Sequence, residues 1–415
     1  MSVDSKNFFT DRPEVTSFYE PLRDRVFRLF WSAAVVSITV VWMHEMGTAW
    51  FMRELTGADP LMVSLIQAAS SLPVVLLSLP MGTLGDLWGR RRFLLATHFW
   101  LIGNMLVFWG VTVNGSMTPT LLVLLTVLLG VGKAMLMPGL AAVIPELVSR
   151  QKLPLGIGLY SMANNGARVI GPALAGLLLL VAGIAAVYAT TVFLLLISLL
   201  LLLGWQKPEE SIRSGGGYVA ELHAGLVYCA QEKQFRTVIA RVFVFFVCAA
   251  AVHALLPVIV TNPALFGISW GAYGVGAISG AVLFPYFSRS LSLQRQLSLG
   301  ILAHAIGLGL LALTPNDVAR LPVMLFMGMC WFGVMSTAQV GVQGVLHETF
   351  RARGMGVFTM VVMAGVGLGA PLWGLVAKAY MPMTAILAAM VLSLSALAAT
   401  YRVGGQADKP AKELT

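Results

Sequence analysis

The feature that most limits what this chain can become is a recurring apolar stretch of about 20 residues or more, broken each time by a short polar turn. A helix rises about 1.5 Å per residue, so about 20 residues cross the roughly 30 Å hydrocarbon core of a bilayer. Twelve such stretches are predicted, at 27–52, 61–84, 93–113, 119–145, 155–180, 184–205, 237–262, 268–288, 296–314, 321–347, 354–379 and 382–402. Hydrocarbon offers no water to unpaired backbone groups, so stretches of this length form helices and the fold class is an all-α membrane protein. Only 11% of the 415 residues are charged, against about 25% in soluble domains.

The net charge of +9 reports topology. If both ends face the cytoplasm, the inner segments hold all of the 27 Lys and Arg except Arg53, Lys133, Arg168, Arg320 and Lys378. Such a bias orients a membrane protein with its basic loops inside, so it calls for no nucleic acid partner. The first 26 residues mix Asp4, Asp11, Glu14, Glu20 and Asp24 with basic residues, unlike a cleaved signal peptide, so the first helix is expected to stay as an anchor. Cys229, Cys248 and Cys330 form no ligand pattern and are read as packing residues. No metal, cofactor or phosphate-binding loop is expected, and no cluster of His, Asp and Glu suggests an enzyme.

The long polar stretch 206–236 divides the chain into two bundles, 27–205 and 237–402, flanked by tails 1–26 and 403–415. Val219, Leu222, Leu226 and Cys229 recur at helical spacing, which predicts a short helix on the inner membrane surface over 218–234. The halves repeat: Pro145-Glu146-Leu-Val-Ser-Arg150 is similar to His347-Glu348-Thr-Phe-Arg351, and Gly171-Pro-Ala-Leu-Ala-Gly176 to Gly369-Ala-Pro-Leu-Trp-Gly374. Two related six-helix bundles place a site between them near mid-membrane.

Between the second and third stretches lies Gly82-Thr-Leu-Gly85-Asp86-Leu-Trp-Gly89-Arg90-Arg91-Arg92. Its charges cannot sit in hydrocarbon, so it is a turn at the aqueous face. The pattern resembles motif A of the major facilitator superfamily, and Asn165-Gly-Ala-Arg168-Val-Ile-Gly171-Pro172-Ala-Leu-Ala-Gly176 resembles its motif C, characteristic of exporters that exchange substrate against an ion. With Trp42-Met-His44-Glu45-Met-Gly-Thr-Ala-Trp50 and Pro145-Glu-Leu-Val148, these residues resemble the subfamily containing enterobactin exporters and macrolide efflux proteins. The resemblance implies a monomeric twelve-helix transporter of the bacterial inner membrane that exports a small molecule by alternating access, driven by protons and surrounded by lipid. Gly82, Asp86, Gly89, Arg90 and Arg91 would gate, Asp86 latching onto the start of helix 11 near Arg351, Arg353 and Gly354. Gly171, Pro172 and Gly176 would form the antiporter helix.

Ionised groups deep in a bilayer cost several kcal/mol, of order +2.5 to +3.5 on insertion scales. Glu45, beside His44 in helix 1, is therefore a candidate proton carrier, or else a fixed ion-pair partner of Lys133 or Arg168. The arginine that such exporters carry in helix 4 has no counterpart near Thr126, and Lys133 stands in for it. Lys133 and Arg168 leave one positive charge in surplus, which points to an anionic or carboxylated cargo such as a siderophore. A multidrug or macrolide pump is the alternative, and a non-transporting sensor a remote one. Asn165, His253, Gln339 and Gln343 are further substrate-binding candidates, and Trp42, Trp50 and Trp331 are read either as aromatic walls or as interfacial anchors.

Overall fold

The computed structural model describes residues 17–149, 151–205, 227–229, 231–288 and 291–404. Tyr218, Val219, Leu222 and Leu226 of the expected surface helix, and residues 1–16 and 405–415 of the tails, lie outside them. Every long element among the described residues is a helix: α1 (Arg25–Thr56), α2 (Pro60–Trp88), α3 (Arg90–Val113), α4 (Pro119–Leu147), α5 (153–182), α6 (184–203), α7 (Lys233–Ile259), α8 (Pro263–Ser288), α9 (Leu293–Leu313), α10 (Asp317–Val345), α11 (Glu348–Ala379) and α12 (Pro382–Gly404).

Eleven unbroken runs are long and apolar enough to cross a bilayer. One of them, Leu153–Leu203 with 51 residues, would reach ~77 Å if straight. Gly183 divides it, at φ +73° and ψ −177°, backbone that essentially only glycine adopts. That one residue makes two spans of one run, so the long helices among the described residues number twelve and residues 25 and 404 share a face, here called the tail face. The opposite, far face carries the α1–α2, α3–α4, α5–α6, α7–α8, α9–α10 and α11–α12 turns.

Helix starts follow the local sequence. Asp24 accepts hydrogen bonds from Val26 and Phe27 at the head of α1, and Asp59 from Leu61 and Met62 at the head of α2, where Pro60 occupies the first turn. Thr118 and Asn316 cap α4 and α10 in the same way. Gly57 ends α1 in the left-handed region at φ +60°.

Packing between the halves rests on the internal repeat. Gly171 lets α5 lie on α1 of its own half: a methyl group there would stand 2.8 Å from the Thr39 carbonyl oxygen. Gly176, five residues on, meets the other half, where a methyl would stand 2.5 Å from the Cα of Gly267 in α8. Gly369 and Gly374 do the same in the second half, Gly369 against Val247 of α7 and Gly374 against Ser64 and Pro60 of α2. Each bundle thus carries one glycine for its own first helix and one for the second helix of its partner. The α5–α8 seam continues through Ala173 beside Gly271 to Val169 beside Gly274, all in the part of the membrane nearer the far face. Small residues at such crossings let backbones approach, which is what associates helices where lipid removes the hydrophobic drive.

At the far face the halves are also joined by charge. Lys378, in the last turn of α11, donates to Asp59 at 2.7 Å. That bond holds the Asp59 carboxyl below its ordinary range. Nothing in the sequence reading singled out this pair.

Two outcomes follow. A Ala173→Cys/Gly271→Cys pair, with the three natural cysteines replaced, places its Cβ atoms 3.9 Å apart, within the span of a disulfide. It should cross-link under mild oxidation and stop transport until reduced; absence of the cross-link would contradict the seam. The Asp59–Lys378 pair, being exposed, contributes only about 0–1 kcal/mol. Because the Asp59 pKa is depressed, that contribution is full above the ordinary carboxylate pKa of about 3.9 and is lost as pH falls through the lower value. Energy transfer between fluorophores at Ser116→Cys and Pro315→Cys should therefore stay flat from about pH 8 to about pH 5 and change only below about pH 4.

Candidate functional site

The centre of the first half is a closed polar network. Gly130 of α4 sits against α2: a methyl group there would stand 2.8 Å from the Ala69 carbonyl oxygen. Three residues on, Lys133 donates to Ser70 Oγ of α2 at 2.6 Å and to Glu45 Oε2 of α1 at 3.1 Å. Gln67 Nε2 donates to Glu45 Oε1 at 2.9 Å and reaches Ser71 Oγ at 3.3 Å. Glu45, Lys133 and Gln67 are all buried. Of the two partners open for Glu45 in the sequence, the structure places Lys133 against it. Gln67, Ser70 and Ser71 were missed, although Ser64, Gln67 and Ser71 recur at i, i+3, i+7 and mark one polar face of an otherwise apolar helix.

Of the two cations Lys133 and Arg168, Arg168 is the one without an ion pair among the described residues. Its guanidinium lies 5.1 Å from the Trp42 ring centroid and 4.3 Å from that of Trp331. Trp42 belongs to α1 and Trp331 to α10, so the stack crosses between the halves. The closeness of α5 to α1 at Gly171, next to Trp42 Cβ, sets the first contact. The second depends on α8 and α10, packed through Gly276 and Gly328, which bring Trp270, Tyr273 and Trp331 together: Trp270 to Tyr273 is 5.5 Å and Tyr273 to Trp331 6.4 Å. His253 of α7 stacks on Trp270 at 4.7 Å and lies within electrostatic range of Glu45, Lys133 and Arg168.

Desolvated cation–π contacts contribute about 2 kcal/mol each, so two of them offset an insertion cost of about 2.5–3.5 kcal/mol for an arginine. They do nothing for its donors. Arg168 makes no hydrogen bond or ion pair among the described residues, and its Nε is buried without a partner. Unpaired buried donors cost about 1–3 kcal/mol. From Arg168, Asn165 and Ser161 continue one stripe of α5 toward the tail face; Asn165 bonds to Ser161 of its own helix at 2.9 Å, and Ser161 is exposed.

Several expected site residues lie elsewhere. His44 points into an aromatic cluster of the first half, 4.4 Å from the Phe108 ring and 4.9 Å from Tyr188, with no bond to Glu45; adjacent residues on a helix face about 100° apart, which carries it away. Gln339 and Gln343 follow Trp331 by about 12 and 18 Å along α10 toward the tail face, and Gln343 meets Met355 of α11.

At the tail face Gly89 takes φ +85°, so α2 turns into α3 through a single residue. Arg90 pairs with Asp86 at 3.4 Å and Glu146 of α4 at 3.1 Å, and also donates to the Ala142 carbonyl. Arg91 reaches the Leu203 carbonyl at 3.3 Å. Among the described residues Asp86 pairs with Arg90, four positions on; of the partners expected for its latch to α11, the Arg351 side chain lies outside the described residues. Gly82 has open space around it, so it is not a close-packing glycine, whereas Gly85 rests on the Phe93 ring.

Comparison with known proteins finds transporters of the same all-helical architecture. Residues 16–410 match the family of transmembrane secretion effectors. The chain belongs to this family, within the major facilitator superfamily. Among relatives, the staphyloferrin A transporter of Staphylococcus aureus is 20% identical over 319 residues, covering 74% of this chain and 78% of that one. The multidrug efflux pump Tap of Mycobacterium tuberculosis is 26% identical over 326 residues, covering 75% and 77%. The solved nucleoside transporter NupG superposes with a TM-score of 0.70 at 16% identity, over 91% of this chain and 99% of that one, a likeness of fold. This secretion-effector family member is thus a multi-pass membrane transporter of the major facilitator type, a class that moves small molecules.

If Glu45 and Lys133 compensate each other, Lys133→Met alone should lower stability in detergent by about 3–5 kcal/mol, by leaving a buried carboxylate unpaired. Lys133→Met with Glu45→Gln should recover most of that loss in a thermal unfolding measurement. Additive losses would contradict the pairing.

Proposed function

We propose that the chain is a proton-coupled exporter that carries a small anionic or carboxylated metabolite, siderophore-like in its chemistry, out of a bacterial cell by alternating access. The observation that carries this reading is charge balance: Lys133 is matched by Glu45, while Arg168, between the halves, has no counter-ion among the described residues. A cation held in that way is a binding site for an anion, and the name of the staphyloferrin A transporter fits such a cargo.

Glu45 is the proton carrier of this scheme. Protonation would dissolve its pair with Lys133 and free that ammonium toward the site, so proton and anion would exchange through one charge. The tail face is assigned to the cytoplasm by its Lys and Arg, with both termini and the 206–236 linker on that side. Asp86, Arg90 and Arg91, with Gly89 shaping the turn, form the gate at that face, and the Gly171-Pro172 to Gly176 segment is the seam that the exchange must open. His253 joins the site from the second half.

The test is efflux from proteoliposomes loaded with hydroxamate, catecholate and carboxylate chelators and with cationic drugs, under an imposed pH gradient. Gradient-driven export of an anionic chelator that collapses in Glu45→Gln is the expected result. Export of cationic drugs instead would favour the reading suggested by the name of the multidrug pump Tap, and transport indifferent to both gradient and Glu45 would end the proton-coupled one.

A further inference from the structure

Arg168 is held against two indoles, and its N–H donors find no acceptor among the described residues. A guanidinium is planar, and all five of its N–H donors lie in that plane. The guanidinium carbon lies over the indoles of Trp42 and Trp331, 5.1 and 4.3 Å from their ring centroids, contacts that supply no hydrogen-bond acceptor for its N–H groups. The in-plane donors, among them the buried and unpartnered Nε, remain for a ligand that is itself planar and presents two oxygens. A carboxylate fits that fork bidentately; a tetrahedral anion or a single negative point would use it less well.

What surrounds the fork is aromatic. Trp331 continues to Tyr273 at 6.4 Å and Tyr273 to Trp270 at 5.5 Å, and Phe246 approaches Trp331 edge-on at 6.4 Å. A polycarboxylate with no ring would leave its remaining charges against these apolar faces. A flat apolar body attached to the carboxylate would stack on them in continuation of the guanidinium.

We infer that the site selects an aryl carboxylate: the carboxylate paired in plane with Arg168, the ring stacked along the Trp331–Tyr273 wall. This rests on the anion reading above and narrows it to one class of anion. Because Trp42 and Trp331 belong to different halves, the clamp is complete only while α1, α5 and α10 are together, and a ligand that spans them senses the closure of the bundles.

The test is calorimetric titration of the full-length protein in detergent with 2-naphthoate, the neutral 2-naphthamide and the ringless anion citrate. Naphthoate should bind at least about tenfold more tightly than either comparator. Arg168→Lys keeps the charge but removes the fork, and should lose about tenfold or more for naphthoate; Trp331→Leu should weaken naphthoate and leave citrate unchanged. Each variant is first checked for a native thermal transition in the absence of ligand. Citrate equal to naphthoate, both lost in Arg168→Lys, would overturn the aryl selection and keep the anion reading. Naphthamide equal to naphthoate would overturn both. Binding of none of the three would overturn the aryl site while leaving the proteoliposome assay to judge export on its own.

Discussion

The bilayer's intolerance of unpaired charge and unpaired backbone organises this molecule. It forces every span to be helical, draws the basic residues to one face, and leaves only a few ionised side chains inside, each of which must be accounted for. Glu45 and Lys133 account for each other, with Gln67 and Ser70 completing their hydrogen bonds. Arg168 is accommodated by tryptophan faces, with its donors left over. A second polar network in the first half, His98 with Ser37 and Ser198 at 2.9 Å each and Ser37 to Ser198 at 2.7 Å, is closed on itself. The contrast between closed networks and an open one is what the proposed anion site rests on.

The second organising element is the repeated glycine pair. Gly171 and Gly369 fasten α5 and α11 to their own bundles, and Gly176 and Gly374 carry the same helices across to the partner bundle. The seam is a contact of backbones, so it can part without leaving a hole that side chains must refill. With Asp59 and Lys378 also bridging the halves at the far face, closure there is built from small, separable contacts. Such contacts suit two rigid bundles that rock against each other around a central site.

Much of this was legible in the sequence and some was not, for identifiable reasons. Span positions follow from length and hydropathy, and all twelve expected stretches are found as helices. The break at Gly183 was legible because the apolar run around it is twice the length that one crossing requires. Glu45, Lys133 and Arg168 stood out because charge in an apolar run is costly. Which of the two cations pairs with Glu45 did not, since it depends on α4 approaching α2 at Gly130, a three-dimensional consequence of a residue that looks ordinary in sequence. The direction of His44 was lost for a similar reason: adjacency in sequence is divergence on a helix. Gly267 and Ser64, the partners of the motif glycines, sit in segments without a motif of their own, and the Asp59–Lys378 pair joins residues more than 300 positions apart.

The account depends most on the two faces being coupled, so that loosening the glycine seam at one closes the other. Nitroxide pairs at Ser116 and Pro315 on the far face and at Gln151 and Arg295 on the tail face allow both separations to be measured by pulsed electron resonance, in the native chain and in Gly176→Leu. The coupled arrangement predicts that Gly176→Leu lengthens the far-face distance and shortens the tail-face distance together. A far-face distance that lengthens while the tail-face distance stays fixed would mean local loosening of α5 from α8, and would contradict the rocking of two rigid halves.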